Sequence, residues 1–224
     1  MSVLDAVKQY ITALSDHTKT QTANAWLVQF EKSHEAWEII QQLLMEPAGS
    51  PHRYFSAIML HNKSQRDLTT QLNPQIITAF TQNLVSHLIR IAQEISIDMG
   101  VCRYLCLSIA AVAVQVNENG IVQQILQWLN PILATHPAVV LELLIVLPEE
   151  GCNRHVLTSS TRRRQFLDQL SNTVPEILGF LNYILSAVPR DSDIGSQLLK
   201  CLERWIDNTS CNGGDIVTHQ FLRP

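Results

Sequence analysis

Residues 138–150, AVVLELLIVLPEE, constrain the fold of this chain more than any other stretch. Nine of their first ten residues are apolar and only Glu142 interrupts them. A helix built from such a segment is oily on nearly every side, so it needs neighbours on both flanks and belongs inside a stack. Pro148 is expected to end it, because proline lacks an amide donor and its ring crowds the preceding turn. Apolar stretches of similar length recur on either side, separated by short polar breaks.

Helical spacing sets the order of these stretches. Val3, Val7, Ile11 and Leu14 mark a first helix, and Ala23, Trp26, Leu27 and Phe30 a second over 20–32. Ser33 caps a third, which carries Trp37, Ile40, Leu43 and Leu44. After the breaker EPAGSP at 46–51, a fourth runs over 52–66, with Tyr54, Phe55, Ile58 and Met59 inward and Asn62, Lys63 and Arg66 outward. Asn73 and Pro74 give a cap followed by proline at the first helical position, opening a helix whose apolar period runs to Ile95. Residues 99–116 read as an inner helix with two packing faces. The turn NENG at 117–120 precedes a helix over 121–133 that Pro131 bends or ends. A break over 148–160 is the longest, then Leu167 to Val188 trace a long face divided or kinked by Pro175. Residues 190–193 turn the chain, a tenth helix covers 194–206, and 215–222 begin another.

Ten helices in antiparallel pairs, spaced near 40 residues and without a strand pattern, predict an all-α solenoid of HEAT type over residues 1–224, about five pairs and the start of a sixth. Because the sequence stops as that pair begins, it is expected to be the N-terminal portion of a longer protein, with apolar surface uncovered near Ile206, Ile216 and Phe221 that favours self-association.

Composition narrows the partners. Sixteen basic against 20 acidic residues give a formal charge of -4, which argues against nucleic acid as a general partner and suits basic proteins. The longest apolar run, 105–116, is too short for a bilayer, and the amphipathic N-terminus with its early Asp5 is not a signal peptide. Five cysteines, an odd number without framework spacing, predict reduced thiols. Cys102 and Cys106 lie one helical turn apart but lack a second ligand pair, so core packing is expected and no metal or cofactor.

No catalytic constellation stands out, and an enzyme is not expected. His34-Glu35 lacks the second histidine of a zinc-protease helix, and no phosphate-binding or nucleophile-elbow motif occurs. Arg162-Arg163-Arg164 is either a solvated first turn or a docking patch for an acidic partner; positive charge there opposes the helix dipole. Trp26, Trp37, Trp128 and Trp205 fall on apolar faces and are expected to pack between helices.

The order and spacing of Ala23-Asn24-Ala25-Trp26-Leu27, Phe30, Ala36-Trp37, Leu43-Leu44, Tyr54-Phe55-Ser56-Ala57 and Leu60 resemble the N-terminal homology region of the importin-β (karyopherin-β) family, here residues 20–70. With the later LLIVLPEE and the triple arginine before a long helix, the pattern is similar to the transportin-SR branch of that family. The resemblance implies a nuclear import receptor that shuttles between nucleus and cytoplasm. Its first repeats would bind Ran-GTP through the helices of Trp26, Phe55, Cys102 and Leu141. Basic or arginine-serine-rich cargo would be gripped mainly by later repeats, and nucleoporins would guide passage. The family's Leu-Lys-Asn at the close of the second pair reads Leu60-His61-Asn62 here, with Lys63 following, so Asn62, Lys63 and Arg66 are the candidate Ran contacts. A passive HEAT scaffold without nucleotide-dependent Ran binding is the alternative.

Overall fold

The computed structural model describes residues 2–116, 118–187 and 193–208. Eleven α-helices and no strand occur among them: α1 Val3–Ala13, α2 Thr20–Glu31, α3 Ala36–Leu43, α4 Pro51–Arg66, α5 Leu68–Gln71, α6 Pro74–Ala92, α7 Met99–Gln115, α8 Ile121–Trp128, α9 Pro137–Cys152, α10 Ser160–Ala187 and α11 Ile194–Asn208. A 3-10 turn, Asn130–Ile132, follows α8. The turn at 190–193, the helix expected over 215–222, and Ile216 and Phe221 fall wholly or partly outside the described residues; Ile206 is 41% exposed.

Local chemistry accounts for several helix starts. Ser2 and Asp5 form a reciprocal capping box, with the Asp5 amide donating to Ser2 Oγ at 3.1 Å and the Ser2 amide donating to Asp5 Oδ2 at 3.1 Å. Asn73 Oδ1 accepts from the Gln75 amide at 3.0 Å, and Pro74 takes the first helical position, where no amide is required. Gly120 precedes α8 with φ 80°, a left-handed conformation that only glycine adopts cheaply, consistent with the turn read from NENG.

Packing orders the helices into two rows. Helices α4, α7, α9 and α11 lie side by side in sequence, while α3, α6 and α10 cover them from the other layer, where α8 sits against α6 and α10, and α1 packs on both α2 and α4. This is an all-α, HEAT-type solenoid. Helix α7 has the two faces expected of it: Val101, Cys102, Leu105, Cys106 and every residue from Ser108 to Gln115 are buried. In α9 every residue from Val139 to Pro148 is buried, and each such Val, Leu or Ile contributes about 1.5–3 kcal/mol relative to exposure. Trp37 and Trp205 are buried, and Trp26 stacks between Tyr10 and Phe30 at centroid distances of 4.2 and 5.6 Å.

The structure corrects the expectation that Pro148 stops its helix. Helix α9 passes through Pro148 and ends at Cys152. The missing proline amide should orphan the Leu144 carbonyl one turn earlier. Instead that carbonyl accepts the Trp205 indole N–H from α11 at 2.7 Å. A neighbouring helix thus supplies the donor that the proline lacks, and the polar break shrinks to 153–159. Helix α10 likewise runs through Pro175 without division.

Two further boundaries move. Helix α6 ends at Ala92, and Ile95, read as a core position, is fully exposed in the turn that follows. Helix α8 closes at Trp128, and Pro131 sits in the 3-10 turn. On α4 the inward set also differs. Tyr54 is exposed, Phe55 and Ile58 are half-buried and Met59 is buried, whereas polar Arg53, Ser56, Lys63 and Ser64 are all buried. Helix α4 is wedged between α3 and α7, so it buries part of its polar face as well as its apolar one. Arg53 is accommodated by a two-pronged ion pair to Glu94, at 2.8 and 2.9 Å.

Candidate protein-binding site

The C-terminal ends of α2 and α4 meet around the three residues expected to face a partner, and they do not share one environment. Lys63 was expected outward, and the structure corrects this: its side chain is fully buried. Its ammonium donates to the Glu31 carbonyl oxygen at 2.8 Å, to Gln71 Oε1 at 2.7 Å and to Asp67 Oδ2 at 3.2 Å, and it lies 4.8 Å from the Trp37 ring centroid. An ammonium has three N–H donors, and all are used. Burial pulls its pKa below the usual lysine value, opposed by Asp67 and Glu31. Lys63 is therefore a tie between α2, α3, α4 and α5. Gln71 extends the tie by accepting from Trp37 Nε1 at 3.0 Å and donating to the Lys32 carbonyl at 2.8 Å.

Asn62 and Arg66 remain at the surface of this junction. The Arg66 side chain is 41% exposed and pairs with the nearly buried Glu31 carboxylate, which Asn62 Nδ2 also approaches at 3.4 Å. Burial pushes the Glu31 carboxyl up, and the Arg66 charge and the Asn62 hydrogen bond act against that. Glu31 thus holds Arg66 and Asn62 side by side, with the guanidinium partly exposed. The sequence offered Arg66 and Asn62 as candidates and gave no sign of Glu31, whose place beside them depends on a helix pairing that no local pattern encodes.

The same row carries a second polar cluster. Glu150 on α9 accepts from Gln65 Nε2 at 3.2 Å and Asn153 Nδ2 at 2.9 Å, and His61 Nε2 stands 3.7 Å away. Burial pushes the Glu150 carboxyl up, yet the nearby His61 ring and the hydrogen bonds from Asn153 and Gln65 together hold it below the usual carboxylate value. Beside it Tyr104 on α7 meets Tyr54 edge-on at 5.8 Å. Arg103 pairs with Glu142, and Arg204 with Glu149 at 2.7 Å, so arginine-glutamate bridges link successive helices of the row.

The triple arginine is divided by the fold. Arg162 is buried and donates to the Ala113 carbonyl at 3.1 Å. Arg163 donates to the Gly151 and Val156 carbonyls at 2.7 and 2.8 Å, which fastens the loop before α10. Only Arg164 is exposed. Among the described residues no group of three or more metal-ligating side chains occurs, and no helix is long and apolar enough to cross a membrane.

Stacked helix pairs presenting a polar row held by interhelical ion pairs define a HEAT-repeat protein whose surface is suited to binding other proteins. Residues 23–91 match the Importin-beta N-terminal domain and residues 100–223 the Exportin 1-like protein family. The chain belongs to the importin-β family of nuclear transport receptors. It is 30% identical to Transportin MOS14 of Arabidopsis thaliana over 214 residues, 90% of this chain and 21% of that protein. It is 26% identical to Importin-13 homolog A of Dictyostelium discoideum over 88% of this chain and 19% of that protein. With the mRNA transport regulator MTR10 of Saccharomyces cerevisiae it shares 25% identity over 92% of this chain and 21% of that protein. The chain thus spans about a fifth of the length of the curated relatives it matches.

Proposed function

We propose that this chain is the Ran-GTP-engaging part of a nuclear import receptor of the transportin-SR type. The observation that carries the reading is the Glu31–Arg66 pair, which leaves a guanidinium partly exposed at the α2–α4 junction, inside the segment that matches the Importin-beta N-terminal domain. Arg66 and Asn62 are the contacting residues in this account. Lys63 positions them by tying the helix ends together, and Arg164 is what remains available of the triple arginine for docking. Partner proteins would lie along the row of α4, α7 and α9, where Tyr54, Tyr104 and Arg103 offer aromatic and cationic contact.

Arginine-serine-rich or otherwise basic cargo would be held mainly by repeats beyond this segment, a charge preference that the net charge of -4 supports. Nucleoporin contacts would carry the receptor between cytoplasm and nucleus. Repeats that touch only their neighbours can change curvature when one ligand binds, so Ran-GTP and cargo would oppose each other. In the full-length receptor, Ran-GTP should release a bound arginine-serine peptide and Ran-GDP should not. Peptide retention in both states would favour a passive scaffold.

A further inference from the structure

Arg162 is a cation buried without a counter-charge. Its side chain is 7% exposed, it forms no ion pair among the described residues, and its single protein hydrogen bond goes to the Ala113 carbonyl. Its Nε is buried with no hydrogen-bond partner, a feature it shares with Arg53, Arg66 and Arg90; what sets Arg162 apart is the missing carboxylate. Every other arginine buried in α4 or paired along the row has a glutamate. Burying an uncompensated guanidinium is costly, and here it sits in the first turn of a 28-residue helix, whose dipole opposes it further.

An anion in the adjoining pocket would offset both costs. That pocket, about 370 Å³, is lined by Gln115, Thr158, Ser159, Thr161, Arg162 and Gln165. No carboxylate lines it. Ser159 Oγ accepts from the Arg162 amide at 3.1 Å and so caps α10, which leaves the Ser160 and Thr161 amides as the first-turn donors without an intrahelical acceptor. The Arg163 hydrogen bonds to Gly151 and Val156 hold the loop that carries Thr158 and Ser159 into the pocket lining.

We propose that the mouth of α10 is an oxyanion site that takes a phosphate group, with Arg162 and the first-turn amides of α10 as its donors and the Thr158 and Thr161 hydroxyls completing the shell. A guanidinium, two amides and two hydroxyls offer donors in several directions, which a tetrahedral dianion satisfies better than a planar monoanionic carboxylate. The phosphate is either free or carried on a side chain of a protein partner, since the pocket opens to solvent. This inference is independent of Ran binding.

Nitrogen-resolved NMR of the 224-residue chain, titrated at constant ionic strength with inorganic phosphate, with N-acetyl-phosphoserine amide and with acetate, tests it. Saturable shifts of the Arg162 Nε–H and the Ser160 and Thr161 amides with both phosphate probes are expected. Binding of phosphoserine at least about tenfold tighter than inorganic phosphate assigns the site to a phosphorylated side chain; equal or weaker binding assigns it to free phosphate. Thr161→Asp keeps the fold, because an acid in the first turn favours the helix, and should weaken phosphate binding by at least about tenfold. Unsaturable shifts, equal shifts with acetate, or undiminished binding to Thr161→Asp would mean an adventitious ion only and overturn the proposal.

Discussion

The Trp205 indole N–H donates to the Leu144 carbonyl at 2.7 Å, the same carbonyl that Pro148 leaves without its partner in α9. A buried helix therefore tolerates an internal proline because the next helix of the row supplies a donor, and the bond also fixes α11 on α9. Trp205→Phe should cost about 1–3 kcal/mol for the orphaned carbonyl, beyond any loss of packing. Pro148→Ala in that background supplies an amide from within α9 and should recover part of the loss. Urea denaturation of the two single variants and the double variant gives the coupling; strict additivity would show that the indole and the proline act independently.

Lys63 ties α2, α4 and α5 through three hydrogen bonds and meets α3 at the Trp37 ring. Lys63→Met preserves side-chain bulk but leaves the Glu31 carbonyl and Asp67 without this donor and Gln71 Oε1 with Trp37 Nε1 alone, so a loss of roughly 2–5 kcal/mol is expected in chemical denaturation. A loss below about 0.5 kcal/mol would place Lys63 on the surface after all.

Glu150 carries a pH dependence of defined sign. Its folded carboxyl lies below the reference value of 4.5, so its stabilising contribution is fully present above that value and is lost as pH falls through the lower folded value. Glu150→Gln should lose about 1–3 kcal/mol at neutral pH, since its amide nitrogen would face one of the two donors, Gln65 or Asn153, that the carboxylate oxygens accept from. The gap between wild type and variant should hold from pH 7 to about 5.5 and shrink below about 4.5. A gap that widens on acidification would reverse the sign.

Thiol reactivity should separate the cysteines cleanly. Burial raises the pKa of Cys102 and Cys201 to about 12 and that of Cys106 well above its usual value, while Cys152 is exposed. In a Cys211→Ser variant, brief alkylation at pH 7.5 read by peptide mass spectrometry should label Cys152 alone. Equal labelling of Cys102 or Cys106 would contradict the buried faces assigned to α7.

What the sequence made legible was whatever short range decides. The Asn73-Pro74 start, the Gly120 turn and the double-faced character of α7 each follow from residues within a turn or two. Pro148 misled because its compensating donor lies on another helix, 61 positions from the carbonyl it serves. Lys63 and Arg162 looked like solvated charges because their acceptors, the Glu31 and Ala113 carbonyls, stand 32 and 49 positions away. Ile95 kept the apolar period of α6 but lay beyond the end of that helix, in a turn with nothing packed over it.

The central claim is that the α2–α4 junction recognises a partner in one nucleotide state. Biolayer interferometry of this chain against Ran loaded with GTP or GDP measures that directly. The account predicts a preference for the GTP form of at least about tenfold, reduced in Arg66→Ala at a temperature where circular dichroism shows the variant still folded. Equal affinity for the two forms, or a preference that Arg66→Ala leaves intact, would contradict it.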